Sequence, residues 1–236
     1  MQCLFTVALF ISIASAVISA HAQAGSIQTK QPTYRGKPLS FYLSEAQTAN
    51  LRADALRSVG SFGADALLTL PQLIAGLQDS DMQVRMAAAW AISQLAPATN
   101  AATVKALEQA LSDPAPRVRS MAAVALRQTG PGAADAVPQL IASLNDPVAF
   151  VRAPAADALG AIGPAAKEAV GPLARRLTAR DEQVFVLRSI SYALGNIGPD
   201  ARLALPALEE AQKIIRVSYA AQCAILQIKG LPLPTY

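Results

Sequence analysis

The chain has 236 residues, of which 53% are hydrophobic and 5% aromatic, and its formal net charge is +4. Disordered chains combine low hydrophobicity with high net charge, so this composition excludes disorder. Abundant alanine and scarce aromatic residues favour closely packed helices over a β-sandwich.

The first 22 residues predict a cleavable export signal. An uncharged apolar run at 4–17, too short for a comfortable membrane span, leads to the small-residue A-x-A sequence at 20–22. No Lys or Arg precedes the run, and a retained N-terminal anchor is the alternative. Cleavage after residue 22 or 24 would remove the one histidine and leave Cys223 as the one cysteine, which excludes an internal disulfide. We therefore expect an exported protein, periplasmic or secreted, with no integral membrane span after cleavage.

A polar segment without periodicity at 23–37 predicts a linker, and internal repeats follow it. The sequence PQLIAGLQD at 71–79 returns as PQLIASLND at 138–146. One series of leucines recurs every 33 to 35 residues, at Leu73, Leu107, Leu140, Leu173 and Leu208. A second series, of valines, recurs with a similar period at Val84, Val118, Val151, Val186 and Val217. Two independent series at one period predict a repeat fold.

Each repeat is expected to contain two helices, A and B. Apolar residues 4, 8 and 11 positions after the valine form one stripe of the B helix, while the leucines belong to the A helix. Aspartates five residues before the valine are expected to accept free amide hydrogens at the B-helix start, with Pro114 and Pro147 at the first helical position. Glycines are expected to end the B helices at Gly63, Gly130, Gly163 and Gly198.

Such helix pairs bury their apolar stripes by stacking, so the chain is expected to be all-α, a right-handed α-solenoid. The solenoid spans 38–230 and a proline-containing tail occupies 231–236. Six units are predicted, at 38–61, 64–96, 101–129, 133–163, 165–198 and 200–229. The first unit is expected to cap the solenoid with a heavier apolar cover, supplied by Tyr34, Leu39, Phe41, Tyr42 and Leu43.

The segment DPVAFVRAPAADALGAIGPAAKEAV at 146–170 resembles the HEAT-like repeats of phycobilisome bilin lyases, and the same pattern covers 50–228. The segment YRGKPLSFYL at 34–43 is similar to the entry segment of exported bacterial HEAT-repeat proteins. The resemblance implies an armadillo-like superhelix of about six HEAT-like helix pairs. It also implies a ladder of ion pairs between neighbouring units, with acids Asp79, Asp113, Asp146 and Asp181 and bases Arg52, Arg85, Arg119 and Arg152. Leu187 and Ser218 interrupt the series of bases.

The residues favour binding over catalysis. HEAT-repeat hydroxylases hold iron with His-Glu motifs, for which the cleaved chain has no histidine, and Cys223 lacks the neighbours that activate a thiol. No phosphate loop, dinucleotide fingerprint or metal cluster is present, so no cofactor is expected. The basic excess is assigned to the ladder and solvated surface, and not to a nucleic-acid site. The prediction is a non-catalytic interaction module or scaffold for a protein or peptide, with an accessory subunit of a bilin-lyase-like enzyme as the alternative.

The partner is expected on the concave face, which the B helices line in HEAT-like solenoids. Positions 2, 6 and 9 after the valine project away from the apolar stripe. The candidate binding residues at these positions are Met86, Trp90, Arg127, Arg188, Tyr192 and Tyr219. Trp90 is the proposed anchor, and its burial against a neighbouring helix is the alternative. Pro154 is expected to kink the fourth B helix.

Overall fold

A computed structural model describes residues 32–47, 52–95 and 100–233 of the chain. These residues form an α-solenoid of stacked helix pairs, as the repeats predict. The helices are α1 (Leu39–Glu45), α2 (Arg52–Gly60), α3 (Leu70–Gly76), α4 (Met82–Leu95), α5 (Ala101–Ala110), α6 (Pro116–Thr129), α7 (Val137–Ser143), α8 (Ala149–Ile162), α9 (Val170–Leu177), α10 (Val184–Ile197), α11 (Leu205–Ala211) and α12 (Ile215–Lys229). Odd-numbered helices are the A helices and even-numbered helices are the B helices. The predicted export signal at 1–22 and most of the predicted linker lie outside the described residues.

A short antiparallel hairpin precedes the first helix, at the junction of the predicted linker and the first predicted unit. Its strands are β1 (Thr33–Tyr34) and β2 (Lys37–Pro38), and the two turn residues between them both have positive φ. That conformation at both central positions is typical of the tight turns whose twist matches paired strands. The hairpin carries Tyr34 to the aromatic rings of Tyr42 and Phe62, with ring centroids 6.1 and 6.3 Å away. This aromatic cluster covers the first unit, where the sequence predicts a cap.

The core follows the two sequence series. The five repeat leucines of the A helices are fully buried, and the five repeat valines of the B helices are at most 2% exposed. Each B helix packs side by side with the next, α2 on α4 and so on to α12. Alanine and glycine allow this close approach, since a Cβ on Gly160 would lie 2.8 Å from the Ala193 Cα. The ninth residue after the repeat valine therefore faces the next B helix in several units, whereas the sequence pattern predicts that it faces solvent.

Four of the A helices are entered through a 3-10 helix that the sequence analysis does not predict. These segments are Gly63–Thr69, Gly130–Ala136, Gly163–Ala169 and Gly198–Ala204. Gly130 ends α6 with a φ of 63°, a conformation that glycine adopts without strain. Pro131 follows at the start of the 3-10 helix, where its missing N–H costs no hydrogen bond.

The aspartates before the B helices do not cap them in the predicted way. Asp113 and Asp146 each accept a hydrogen bond from the backbone N–H two residues later, at 2.8 and 2.9 Å. They thus stabilise the turn before the helix, because the chain needs two more residues, including Pro114 or Pro147, before helical geometry begins. In α6 the proline near the first helical position is Pro116.

Helix α8 continues through Pro154 from Ala149 to Ile162. Proline has no N–H for the Phe150 carbonyl one turn earlier. The Ser120 hydroxyl of α6 donates to that carbonyl instead, at 2.9 Å. A hydrogen bond from the neighbouring B helix thus replaces the missing helical one. The helix is unbroken at Pro154, and the kink expected there stays a prediction.

None of the described helices combines the length and apolarity needed to span a membrane.

Candidate functional site

A ladder of ion pairs runs along the turns that precede the B helices. Arg85 donates from Nε and Nη2 to the Asp113 carboxylate at 2.7 and 3.1 Å, and Arg119 contacts Asp146 in the same way at 2.6 and 3.0 Å. The Nη1 group of Arg119 also donates to the Asp113 backbone carbonyl at 2.8 Å. Arg52 contacts Asp79. Arg85, which donates to the Asp79 backbone carbonyl, and Arg119 therefore each join the turn of their own unit to the turn of the next.

The fourth rung uses Glu182 in place of Asp181. Arg152 donates to the Glu182 carboxylate at 2.6 and 2.9 Å, and Arg176 donates to it from the preceding A helix at 2.6 Å. The Glu182 side chain is fully buried, whereas Asp181 is exposed. Since Glu182 stands one residue nearer the B helix, its longer side chain occupies the place of the aspartate in earlier units. Leu187 stands at the next arginine position and is buried, so no further rung forms within the described residues.

The ladder carboxylates are held in their charged form. Burial alone would raise the pKa of Asp146, but hydrogen bonds from Arg119 and the Val148 amide, with the charges of Arg119 and Arg152, bring it below its ordinary value. The pKa of Glu182 is lowered in the same way, against burial, by hydrogen bonds from Arg152, the Gln183 amide and Arg176. Both carboxylates are therefore paired with arginines and stabilise the fold.

Because the ladder ties successive turns together, the first residues of successive B helices lie side by side. The residue directly before each repeat valine is exposed in every unit from the second onward. Along the solenoid these residues form a row of Gln83, Arg117, Phe150, Phe185 and Arg216. The last four residues of this row lie on α6, α8, α10 and α12, and we call the exposed surface of these four helices that carries them the B-helix face.

A groove of about 420 Å³ opens on this face between α8 and α10. Each helix lines it with residues spaced by four and three positions, which lie on one side of a helix. The lining residues are Phe150, Pro154 and Asp157 from α8 and Phe185, Ser189 and Tyr192 from α10. We call it the Phe150–Phe185 groove. Phe150 is 47% exposed, Phe185 44% and Tyr192 37%, so the groove presents three large aromatic surfaces to solvent.

Asp157 lies in the groove without an ion pair among the described residues. Burial raises the pKa of its carboxyl, while a hydrogen bond from the Ser189 hydroxyl and the positive charge of Arg127 act in the opposite direction. Arg188 also lines the groove and is exposed. The groove therefore combines aromatic surface with one carboxyl and an available guanidinium.

The structure brings some of the predicted binding residues together and separates others. Arg188 and Tyr192 line the Phe150–Phe185 groove, and Tyr219 is 45% exposed on α12, the next B helix. Arg127 is exposed at the far end of α6. Met86 and Trp90, however, are half-buried on α4, packed against the core.

Trp90 does not line the groove. The edge of its ring lies 2.8 Å from where a Cβ on Gly60 of α2 would stand. The ring therefore covers the gap that glycine leaves between α2 and α4. This arrangement matches the alternative in which Trp90 is buried against a neighbouring helix.

Phe150 and Phe185 are aromatic groove residues that are absent from the binding residues predicted from the sequence. Both stand one position before the repeat valine, outside the positions 2, 6 and 9 taken to project into solvent. The signal was present, because both phenylalanines follow the helical spacing that leads to Asp157 and Tyr192. A comparison of that single position across units would have found them.

Within the described ranges, His, Cys, Asp and Glu side chains form no group of three or more that could hold a metal ion. Cys223 is buried at the position of α12 that corresponds to Tyr192 of α10.

Comparison with protein families gives a match to HEAT repeats at residues 37–127 and 90–160, which together cover more than half of the chain. A search of curated proteins gives no match.

Solved structures show the same architecture. An engineered protein matches with a TM-score of 0.65 and 22% identity, over 81% of this chain and 96% of that protein. A designed armadillo repeat protein matches with a TM-score of 0.62 and 20% identity, over 80% of this chain and 99% of that protein. The complex of CpcE and CpcF of phycocyanin lyase from Nostoc sp. PCC7120 matches with a TM-score of 0.61 and 32% identity, over 70% of this chain and 66% of that chain. The repeats, their stacking and these matches together show that the chain belongs to the HEAT-repeat family.

Proposed function

We propose that this protein is a non-catalytic interaction module that binds a protein or peptide partner on its B-helix face. The observation that carries the proposal is the exposed aromatic surface of the Phe150–Phe185 groove. Large aromatic side chains are usually buried in monomeric proteins, and where they stay exposed together they mark binding sites. Phenylalanine, tyrosine and arginine side chains are enriched at protein interfaces.

The shape of the groove also fits a macromolecular partner. It is an open trough between two parallel helices, whereas small-molecule sites bury most of their ligand's surface. An open trough suits a side chain or backbone segment presented by a larger partner. The repeat fold extends the surface to neighbouring helices, so that contacts can continue on both sides of the groove.

Affinity capture with matched variants tests the proposal. The wild-type protein and the variants Phe185→Ala and Leu203→Ala serve as baits. Leu203 is 87% exposed and lies on a 3-10 helix outside the groove, so its replacement also removes exposed apolar surface but leaves the groove intact. We expect a specific partner to be lost with Phe185→Ala and retained with Leu203→Ala. A partner retained equally by both variants would contradict binding through the groove.

A second candidate function is that of an accessory subunit of a modifying enzyme. The 32% identity to the CpcE and CpcF complex of phycocyanin lyase favours it. In that case the captured partner would be an enzyme subunit, and its activity on a substrate protein would require the present chain. Restoration of that activity by wild-type protein, and not by Phe185→Ala, would support this candidate.

We propose in addition that the protein acts after export, on the basis of the predicted signal at 1–22. N-terminal sequencing of the protein recovered from the periplasm or medium is expected to begin at Gln23 or Gly25. An intact Met1 on the exported protein would contradict cleavage.

A further inference from the structure

Resting on the proposed function, we infer that the B-helix face recognises an extended acidic segment of a partner protein, with two apolar side chains seated between two carboxylates. The residues that precede the repeat valines form a row across the B helices. On four consecutive B helices this row reads Arg117, Phe150, Phe185 and Arg216, and all four side chains are exposed. Two aromatic groups are therefore flanked on each side by an arginine.

The ladder keeps this row in register. The contacts of Arg119 with Asp146 and of Arg152 with Glu182 join the starts of α6, α8 and α10. The bond from Ser120 to the Phe150 carbonyl adds a direct contact between α6 and α8 beside the row. Arg216 occupies the same position of α12, which packs against α10. The four side chains thus stand at one level across four parallel helices.

The spacing of the row sets the spacing of the ligand. Packed helices lie about 8–10 Å apart, and an extended chain in the polyproline II conformation advances about 3.1 Å per residue with three residues per turn. One helix therefore corresponds to about three ligand residues, and every third side chain points to the same side of the ligand. A segment crossing the helices would place an apolar side chain at every third position over the phenylalanines. Its carboxylates would stand about nine residues apart, opposite Arg117 and Arg216.

The positive charge of the B-helix face favours a negatively charged ligand. Outside the ladder, α6, α8, α10 and α12 carry five cationic side chains, Arg117, Arg127, Arg188, Arg216 and Lys229, and one carboxyl, Asp157. Among the described residues, Arg117, Arg188 and Arg216 form no ion pair, so their charges are available to a partner. The 3-10 and A helices of the same units carry acids and bases in nearly equal number. The positive excess is therefore concentrated on the face that presents the aromatic groups.

The Asp157 carboxyl in the groove favours a peptide ligand over a nucleic acid. A basic face with aromatic groups also suits a single-stranded nucleic acid, whose bases stack on aromatic rings while its phosphates meet cations. A regular phosphate backbone crossing the groove would meet the Asp157 carboxyl between the aromatic groups. An acidic peptide carries its charges only at the ends of the row, away from this carboxyl.

Binding of designed peptides to the full chain tests the inference by calorimetry or fluorescence anisotropy. The probe is acetyl-Glu-Gly-Ser-Phe-Gly-Ser-Phe-Gly-Ser-Glu-amide, with analogues in which both glutamates become glutamine or lysine. We expect the acidic peptide to bind roughly fivefold more tightly than the glutamine analogue at low salt, as two exposed ion pairs provide, and the lysine analogue to bind most weakly. High salt is expected to reduce the difference.

Variants of the protein test which residues produce the preference for the acidic peptide. The double variant Arg117→Gln with Arg216→Gln is expected to remove the preference for the acidic peptide while still binding the glutamine analogue. Arg175→Gln, an exposed arginine on the A helix α9, is the matched control and should keep the preference. Phe185→Ala is expected to weaken binding of all three peptides.

Three results would overturn the inferred acidic segment. Equal or tighter binding of the lysine analogue, still dependent on Phe185, would overturn the acidic segment and leave the proposed groove function intact. Saturable binding of oligothymidylate that displaces the acidic peptide would overturn it in favour of a nucleic acid. A lack of saturable binding of the acidic peptide at millimolar concentration would also overturn the acidic segment. Failure of the proposed function is a different result, in which a captured partner is unaffected by Phe185→Ala.

Discussion

At the scale of single residues, the ladder arginines are the clearest structural determinants. We expect Arg119→Ala to lower the free energy of unfolding by about 1–3 kcal/mol, because the Asp146 carboxylate, 8% exposed, loses both hydrogen bonds from the guanidinium. Urea denaturation measures the change. The neighbouring Arg117 is exposed and outside the ladder, so Arg117→Ala should stay within about 0.5 kcal/mol of wild type. Equal losses in the two variants would contradict a structural role specific to Arg119.

The carboxyls of Asp146 and Asp157 should respond oppositely to replacement by asparagine. The folded-state pKa of Asp146 is lowered, so its contribution to stability is present above the unfolded-state pKa and is lost as the pH falls through the folded-state pKa. The folded-state pKa of Asp157 is raised, so stability is lost as the pH rises through that pKa. At pH 7 we therefore expect Asp146→Asn to destabilise the protein and Asp157→Asn to stabilise it.

Thermal unfolding of both asparagine variants between pH 3 and pH 7 checks this prediction. The effect of Asp157→Asn should shrink toward the acid end, where the native carboxyl is itself protonated. The effect of Asp146→Asn should persist to lower pH, because the pKa of the native carboxyl is lowered. Destabilisation by Asp157→Asn at pH 7 would show that the charged Asp157 makes a favourable interaction in the folded protein that burial does not outweigh.

The Ser120 hydroxyl donates to the Phe150 carbonyl, which lacks its helical partner because residue 154 is proline. In the wild-type chain, Ser120→Ala should cost about 0.5–1.5 kcal/mol, since the Phe150 carbonyl then has no protein donor in place of the missing helical N–H. In a Pro154→Ala background the backbone N–H of residue 154 returns, and the same Ser120→Ala change should cost less. A double-mutant cycle measured by urea denaturation gives the coupling. Additive effects would contradict the replacement of one bond by the other.

Some of these structural residues could be predicted from the sequence, and others could not. The ladder arginines repeat with the period, so their positions are visible from one unit to the next. Glu182 breaks the repeat by one position and is buried only because the turn before α10 differs in shape from earlier turns. The bond from Ser120 to Phe150 depends on which side chains two helices place at their contact. That contact has no signature within either helix alone.

At the scale of elements, the packing of neighbouring B helices depends on small residues. A Cβ on Gly160 would lie 2.8 Å from the Ala193 Cα, so Gly160→Ala must push α8 away from α10. We expect a loss of about 1–3 kcal/mol in the free energy of unfolding, as in other overpacked cores. Gly171 is a helical glycine of α9 whose added Cβ would meet only ordinary contacts, and Gly171→Ala is the control expected to cause no loss. Equal behaviour of the two variants would contradict close backbone packing at Gly160.

The existence and order of the helices could be predicted from the repeats, whereas their ends and connections could not. The apolar stripes define which residues are buried, and burial determines the helix far more strongly than any cap. The 3-10 helices such as Gly130–Ala136 share the glycine and proline signals of a loop, so composition does not distinguish the two. The hairpin at Thr33–Tyr34 and Lys37–Pro38 has strands of two residues, too short to show alternation.

At the scale of the whole molecule, stacking converts equivalent positions into continuous surface rows. One such row is the ladder, which joins successive units through buried charge pairs. The other is the row of Arg117, Phe150, Phe185 and Arg216, which faces solvent. The expectation that the B helices carry a binding face comes from the resemblance to HEAT-like solenoids, and it stays a prediction. Sequence analysis could not predict that the aromatic groups concentrate between α8 and α10, since superhelical packing determines which outward positions are covered, as at Trp90.

Site-specific photo-crosslinking tests most directly the claim that a partner binds in the Phe150–Phe185 groove. A photoreactive phenylalanine analogue replaces Phe185 in one protein and Leu203 in another, and crosslinked peptides are identified by mass spectrometry after exposure to the captured partner. We predict a crosslink from position 185 to one defined segment of the partner, and none from position 203 to that segment. Crosslinks to that segment from position 203 alone, with none from position 185, would contradict the claim.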